Sequence, residues 1–350
     1  MNAFDPKYES QLDNDGEVTG SPVALRDACE FFLDCISGLD RPQKTLSCKW
    51  LYDDTGSTLF EAICATPEYY LARAETALLA EALPDLAARL DKPTALIEFG
   101  SGASRKTRLF LDAALTVRTY VPIDISAHEL ARSSRAIERD YASIEVEPVC
   151  ADFTGPLRLG AEIMALERIG FFPGSTLGNF DTAAAAAFLA SAGELFGHGG
   201  RLLLGVDLRK DERTLLAAYD DAAGVTAAFN RNVLTRINRE LGADIDVGAF
   251  EHRATWNAAE SRIEMHLVSR REQRFRIGHR RFTLAAGETI HTENSRKFTL
   301  AGLEALTAEA GWRVEDRWLS GDPAYALVLL SDFSAPPADA PVAEYIEEFA

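Results

Sequence analysis

The chain has 350 residues with 36 basic against 54 acidic side chains, a formal net charge of −18. Its 47% apolar content supports a full core and excludes general disorder, and the length allows two domains or one domain with an insertion. The acidic surplus argues against a nucleic-acid or membrane partner and leaves small molecules, cationic ones included.

Cys29, Cys35, Cys48, Cys64 and Cys150 contain no C-x-x-C pair, so neither a zinc cage nor a disulfide framework is expected. Histidines 128, 198, 252, 266, 279 and 291 lack a ligand spacing, and no metal is expected. The stretch Met1-Asn2-Ala3-Phe4-Asp5-Pro6 is not laid out as a signal peptide. No apolar run approaches the ~20 residues of a membrane helix. A cytoplasmic protein is the expectation.

Residues 1–20 are polar and acidic and read as a loose arm. Leu25 to Leu83 reads as helical, broken at Pro42 and at Thr66-Pro67 and closed by Pro84. Strands are then expected at Ala95–Phe99, Tyr120–Asp124, Val146–Cys150, Ile169–Pro173 and Arg201–Asp207. Helices fill the spaces at Ser104–Leu115, Ala127–Tyr141 and the Ala-rich Thr182–Phe196. Short apolar strands alternating with helices predict a parallel sheet covered on both faces. Between Asp207 and Phe298 the rhythm changes to a polar helical stretch reaching Leu241, then alternating segments Phe250–Trp256, Arg262–Arg270 and Gln273–Ile277. This reads as an inserted lid or substrate domain, packed with the N-terminal helices. A helix at Leu300–Ala310 and two antiparallel strands, Trp312–Leu319 and Tyr325–Leu330, complete the chain.

In such a sheet ligands sit at the carboxyl ends of the strands. Gly100-Ser101-Gly102 ends the first strand, and glycine lets a ligand approach the backbone. Asp124 ends the second, where an acid can hold ribose hydroxyls. Asp152-Phe153 follows the third, offering a carboxylate for an adenine amine and a ring to stack on it. Gly174-Ser175-Thr176-Leu177-Gly178-Asn179 ends the fourth. A dinucleotide fingerprint requires a third glycine where this chain has Arg105, which counts against an NAD-dependent dehydrogenase. Glu98-Phe99-Gly100-Ser101-Gly102 instead resembles the E/D-x-G-x-G signature of S-adenosylmethionine-dependent methyltransferases.

A more specific resemblance rests on Lys49 to Asp53, Pro67 to Tyr70, Glu98 to Gly102, Gly174 to Asn179, Tyr219 to Thr226, Phe229 to Leu234 and Thr292 to Phe298. In order and spacing, from Lys49 to Leu330, these segments resemble the L-histidine Nα-methyltransferases of ergothioneine biosynthesis. The resemblance implies a Rossmann-like α/β class I methyltransferase, with a seven-stranded sheet and an inserted α+β substrate-binding domain. Residues 76–207 and 300–335 would form the first, 21–75 and 208–299 the second, and 336–350 a tail. It implies three methyl transfers from S-adenosylmethionine to the α-amine of L-histidine, giving hercynine, by a monomer.

Carried over by resemblance, Gly100, Ser101, Gly102, Asp124, Asp152 and Phe153 contact the cofactor, and Lys106 reaches its methionine carboxylate. Asn179 and Tyr219 meet the substrate carboxylate, Tyr69 and the Gly174 carbonyl orient the amine, and Tyr52 and Met265 line the pocket. Glu293 and Ser295 grip the imidazole, since a carboxylate accepts from one ring N–H and a hydroxyl serves the other nitrogen. In an extended segment positions i and i+2 share a face. Asn294 and Arg296 depart from the family pattern beside that pair. The rivals are a relative acting on 4-dimethylallyltryptophan or a thiolated histidine, the dehydrogenase above, and a non-catalytic S-adenosylmethionine sensor.

Overall fold

The computed structural model describes residues 22–102 and 104–332; the expected arm, and the tail at 336–350, lie outside them. Helix α1 (Pro22–Leu39) leads to the two-residue strand β1 (Lys44–Thr45), a 3₁₀ turn at Cys48–Leu51, and helices α2 (Asp54–Cys64) and α3 (Leu71–Ala88). Asp53 starts α2 by accepting from the Gly56 N–H at 2.7 Å, which satisfies one of the orphan donors at a helix N-terminus. Pro84 does not end its helix as expected but lies inside α3. A proline there costs one hydrogen bond; the buried Leu78, Leu79, Ala82, Leu83 and Leu86 hold the turn together.

The alternating centre follows as β2 (Thr94–Phe99), α4 (Arg105–Ala113), β3 (Val117–Asp124), α5 (Ala127–Asp140), β4 (Glu145–Val146), β5 (Val149–Cys150), α6 (Ala161–Met164), β6 (Glu167–Phe172), α7 (Thr182–Phe196) and β7 (Arg201–Asp207). The expected third strand is thus two short ones, interrupted at Glu147-Pro148, where proline has no N–H to give a ladder; both pair with β3.

The insertion holds α8 (Glu212–Tyr219), α9 (Val225–Leu241), β8 (Phe250–Asn257), β9 (Arg262–Ser269), β10 (Gln273–Ile277), β11 (Arg280–Leu284) and β12 (Thr289–Arg296). Then come α10 (Leu300–Glu309), β13 (Trp312–Leu319) and β14 (Tyr325–Asp332). The main sheet runs β13-β14-β7-β6-β2-β3-β4, with β5 also on β3. Its centre is parallel, and β14 joins β7 antiparallel. Strand order reverses about β2, so the crevice outside Gly100 is the expected ligand position.

A second sheet, β1-β12-β9-β8, belongs to the insertion and recruits β1 from the N-terminal segment. One apolar cluster runs through Phe31 of α1, Leu79 of α3, Phe171 of β6, Phe229 of α9, Met265 of β9 and Tyr325 of β14. The insertion and the N-terminal helices therefore share a core with one face of the main sheet. The other face is covered by a separate cluster from α7 and α10. Among the described residues no helix is long and apolar enough to cross a membrane.

Candidate functional site

The crevice at the end of β2 is shaped by its backbone. Gly100 and Gly102 have φ of +72° and +46°, in the left-handed region where a side chain is strained. The Gly100 N–H donates to the Ile123 carbonyl at 2.8 Å, tying the turn to β3. Asp124, the last residue of β3, accepts from the backbone N–H groups of Gly102 (3.0 Å) and Ser126 (2.9 Å). Burial raises its carboxyl above the usual range and outweighs those two donors. A Cβ on Gly102 would meet nothing within 4 Å, so the turn faces open space. The buried Ser101 hydroxyl has no protein partner among the described residues.

After β5, Asp152 accepts from the N–H (2.9 Å) and hydroxyl (2.6 Å) of Thr154 on one oxygen, and from Lys49 at 3.3 Å on the other. Burial works to raise this carboxyl, but the Thr154 bonds and Lys49 outweigh it and hold it low. Lys49 also meets Glu30 and Asp34 of α1, at 2.5 and 3.4 Å. Phe153 packs edge-on to Phe99, Phe172 and Phe188.

Glu75, on α3, is a junction that no motif signals. Fully buried, it accepts the Gly174 N–H at 2.9 Å on both oxygens and the Lys106 ammonium as well. Lys106, expected to reach a cofactor carboxylate, is thus held by protein in this structure. Glu75 fits only because β7 carries Gly205 beside it: a Cβ there would lie 1.9 Å from Oε1.

The other side of the crevice is lined by the inserted sheet. In β12 a bulge between His291 and Glu293 resets the strand, turning Glu293 and Ser295 to its buried face. Met265 lies directly across from Glu293 in β9 and is 2% exposed. Asn294 and Arg296 lie on the opposite, partly exposed face, as strand alternation requires. The Glu293 carboxylate receives no hydrogen bond among the described residues, and burial lifts it to about 7 against the opposing pull of Lys297. Burial, then the Glu293 charge, pushes the Tyr52 phenol far up. Tyr69 is pushed up in the same way, by burial first, and its ring lies edge-on to Tyr219 at 6.1 Å.

Tyr219, at the end of α8, is not a free phenol. Its hydroxyl lies 2.6 Å from Ser295 Oγ, and Lys297 Nζ donates to both oxygens at 2.9 Å. Lys297 also meets Asp207 at 2.8 Å. Asp207 in turn takes Lys210 and, at 2.7 Å, the Tyr70 hydroxyl. Below Tyr219, His252 Nε2 donates to its carbonyl at 2.8 Å while Nδ1 accepts from Asn230 at 2.9 Å. Asn179 ends a 3₁₀ turn, Thr176–Asn179, seated against β12. A Cβ on Gly178 would come within 2.8 Å of the Arg296 carbonyl oxygen.

Contacts thus link Gly174 and Lys106 through Glu75, and Tyr219 and Ser295 through Lys297 and Asp207, with Tyr52 and Tyr69 beside Glu293. Glu75, Asp207, Lys210 and Lys297 were not among the expected residues. Asp207 had a legible signal, since it ends a central strand as Asp124 does, and Lys297 lay inside a quoted motif. Elsewhere, Asp54, His128 and Glu129 bring ligand atoms within 4.8 Å of one another, but Glu129 is taken by Arg132 at 2.5 Å.

A family described as "Histidine-specific methyltransferase, SAM-dependent" matches residues 31–332. The chain is 45% identical over 296 residues to a histidine N-alpha-methyltransferase of Mycolicibacterium smegmatis, covering 83% of this chain and 91% of that one. It is also 45% identical over 284 residues to the Mycobacterium tuberculosis protein of the same name, with 79% and 87% covered. Among solved structures, the CcbJ methyltransferase from Streptomyces caelestis is similar at 16% identity and a TM-score of 0.44, with 73% of this chain and 90% of that one covered.

Proposed function

The chain belongs to the histidine-specific, S-adenosylmethionine-dependent methyltransferase family, and from that premise we propose that it trimethylates the α-amine of L-histidine to hercynine in ergothioneine biosynthesis. The observation that carries the substrate is Glu293: a largely buried carboxylate that takes no hydrogen bond among the described residues, two residues from Ser295 on the same strand face. Burial disfavours its charged form, and an imidazole N–H would offset that. An indole has no second ring nitrogen for Ser295.

At the cofactor end Gly100, Ser101 and Gly102 would hold the methionine portion, Asp124 the ribose hydroxyls, and Asp152 with Phe153 the adenine. The open face of Gly102 and the orphaned Ser101 hydroxyl fit such a ligand. Lys106, kept in place by Glu75, would turn a remaining N–H toward the methionine carboxylate. When bound, S-adenosylmethionine supplies a methyl carbon on a sulfonium, which a neutral amine takes up as the S–CH3 bond breaks and S-adenosylhomocysteine leaves.

The protein's contribution is placement, the main source of rate for a displacement between two held ligands. Asn179, whose amide makes no side-chain hydrogen bond among the described residues, would donate to the substrate carboxylate. Tyr219 stands between the carboxylate and ring ends. Tyr69 and the Gly174 carbonyl would orient the amine, with the Gly174 turn fixed by Glu75. Tyr52 and Met265 would close the pocket around the ring. We also propose that the enzyme acts as a monomer.

Mass spectrometry of L-histidine incubated with the enzyme and S-adenosylmethionine tests the reading. One, two and three added methyl groups are expected. Turnover of 4-dimethylallyltryptophan with none of histidine would overturn it.

A further inference from the structure

Lys297 is 1% exposed, and a buried ammonium persists only if paired and hydrogen-bonded. Burial pulls its proton affinity down, but Asp207 more than compensates and holds it above the usual lysine range. An ammonium has three N–H donors and no acceptor. Two are spent on Tyr219 Oη and Ser295 Oγ at 2.9 Å each, and Asp207 Oδ2 pairs with the charge at 2.8 Å.

Both hydroxyl oxygens must therefore accept from Lys297. They also lie 2.6 Å apart, so one hydroxyl proton is spent between them and one is left. A phenol is the more acidic donor, and the ammonium polarises it further. Tyr219 then donates to Ser295, and the Ser295 proton is the one that faces a ligand. An imidazole in this site meets a donor at Ser295 and an acceptor at Glu293. Neutral imidazole has one bare nitrogen and one N–H, which fits that pattern in a single orientation.

We propose that Lys297 is a positioning and specificity-determining residue, whose ammonium joins Tyr219 and Ser295 into one unit and fixes Ser295 as the donor to the substrate ring. The proposal rests on the histidine reading above. It needs no contact between Lys297 and substrate. It also gives Lys297 a second effect, since its charge opposes the burial that raises Glu293. The other titratable groups about Glu293 are Cys48 from the turn before α2, Tyr52, Tyr69 from the segment before α3, and Tyr219 through its shared network.

Lys297→Met tests this in the full chain. Asp207 keeps Lys210 and Tyr70, which limits the damage to the fold. Calorimetry with S-adenosylhomocysteine, then with histidine in its presence, separates the two ends. The expected result is S-adenosylhomocysteine affinity within about twofold of the parent and a histidine Kd, with the KM measured alongside it, raised about tenfold or more, the scale of a lost charged hydrogen bond. The acid limb of kcat/KM should also move to higher pH, because Glu293 loses the cation that lowered it. The substrate's own titration is common to both enzymes and cancels in that comparison.

An unmoved limb with parent-like KM would overturn the proposal, as would equal loss of both ligands, which marks a structural role only. Should the Met variant fail to fold, Lys297→Arg asks the same question. With charge kept and the three-way ammonium geometry lost, KM should rise while the limb stays, and parent-like KM would overturn the proposal. If the parent enzyme makes no hercynine, the functional reading fails independently of any variant.

Discussion

At the proposed cofactor end, Asp124 and Asp152 already hold the N–H groups of Gly102, Ser126 and Thr154, and Asp152 keeps a third of its side chain open to water. At the proposed substrate end, Glu293 is 9% exposed and takes no protein donor among the described residues. The first pair of carboxylates is satisfied before any ligand arrives, with spare lone pairs for one. Glu293 is largely desolvated without a protein donor, so it gains more from a ligand N–H than the other two do. Substitutions at the cofactor end should therefore produce graded losses, and those at the substrate end steep and selective ones.

The largest effect is expected at Glu293. Glu293→Ala should raise the histidine KM by about a hundredfold or more, because the proposed ring site would lose its buried anionic acceptor. S-adenosylhomocysteine affinity should stay within about twofold; equal loss of both would mean that Glu293 is not at the substrate end. The pH profile follows from the same group. Its carboxyl lies at about 7, raised from 4.5 by burial, so the accepting carboxylate is lost as pH falls through about 7. The kcat/KM for histidine should fall there, and Glu293→Gln should lack that limb.

Glu75 is where the two ends join, and it can break the contrast. Its carboxylate holds Gly174 on the substrate side and Lys106 on the cofactor side. Glu75→Ala strands both, at a cost of about 3 kcal/mol for a broken buried pair. Both ligands should lose affinity together, with a lower melting temperature. If only histidine binding fell, Lys106 would not depend on Glu75. Asp152→Asn is milder. The amide keeps an acceptor for Thr154, and about 1 kcal/mol, or roughly fivefold in S-adenosylhomocysteine affinity, is expected. Histidine KM at saturating cofactor should not change.

These differences also explain what the sequence could reveal. Glycine turns and strand-end carboxylates are legible because the backbone dictates them: Gly100 and Gly102 need φ above zero, and Asp124 ends an apolar run. The pairings of Glu75 with Gly174, and of Lys297 with Asp207, join segments far apart in the chain, and no local pattern encodes them. Pro84 misled because packing on one face of α3 outweighed a local penalty. The third strand misled because Val146, Val149 and Cys150 favour a strand but Pro148 between them has no N–H for a ladder. Glu293 and Ser295 were singled out by the family resemblance and not by their spacing alone, and that Tyr219 shares its hydroxyl with Ser295 was visible only in the fold.

The smallest effect is expected at Asn294, which lies between the two residues proposed to hold the ring. Adjacent to Glu293 and Ser295 in the chain, it invites a role in ring binding. A strand sends successive side chains to opposite faces, and Asn294 faces away from the pocket, opposite Glu264. Its side-chain oxygen is buried without a partner, so it gains nothing from being polar. Asn294→Val removes that oxygen and adds a β-branched residue suited to a strand. Histidine KM should change by less than about twofold, and the melting temperature should hold or rise slightly. A tenfold rise in KM would show that the two faces of β12 are coupled, and the division between a selective inner face and a neutral outer one would have to be given up.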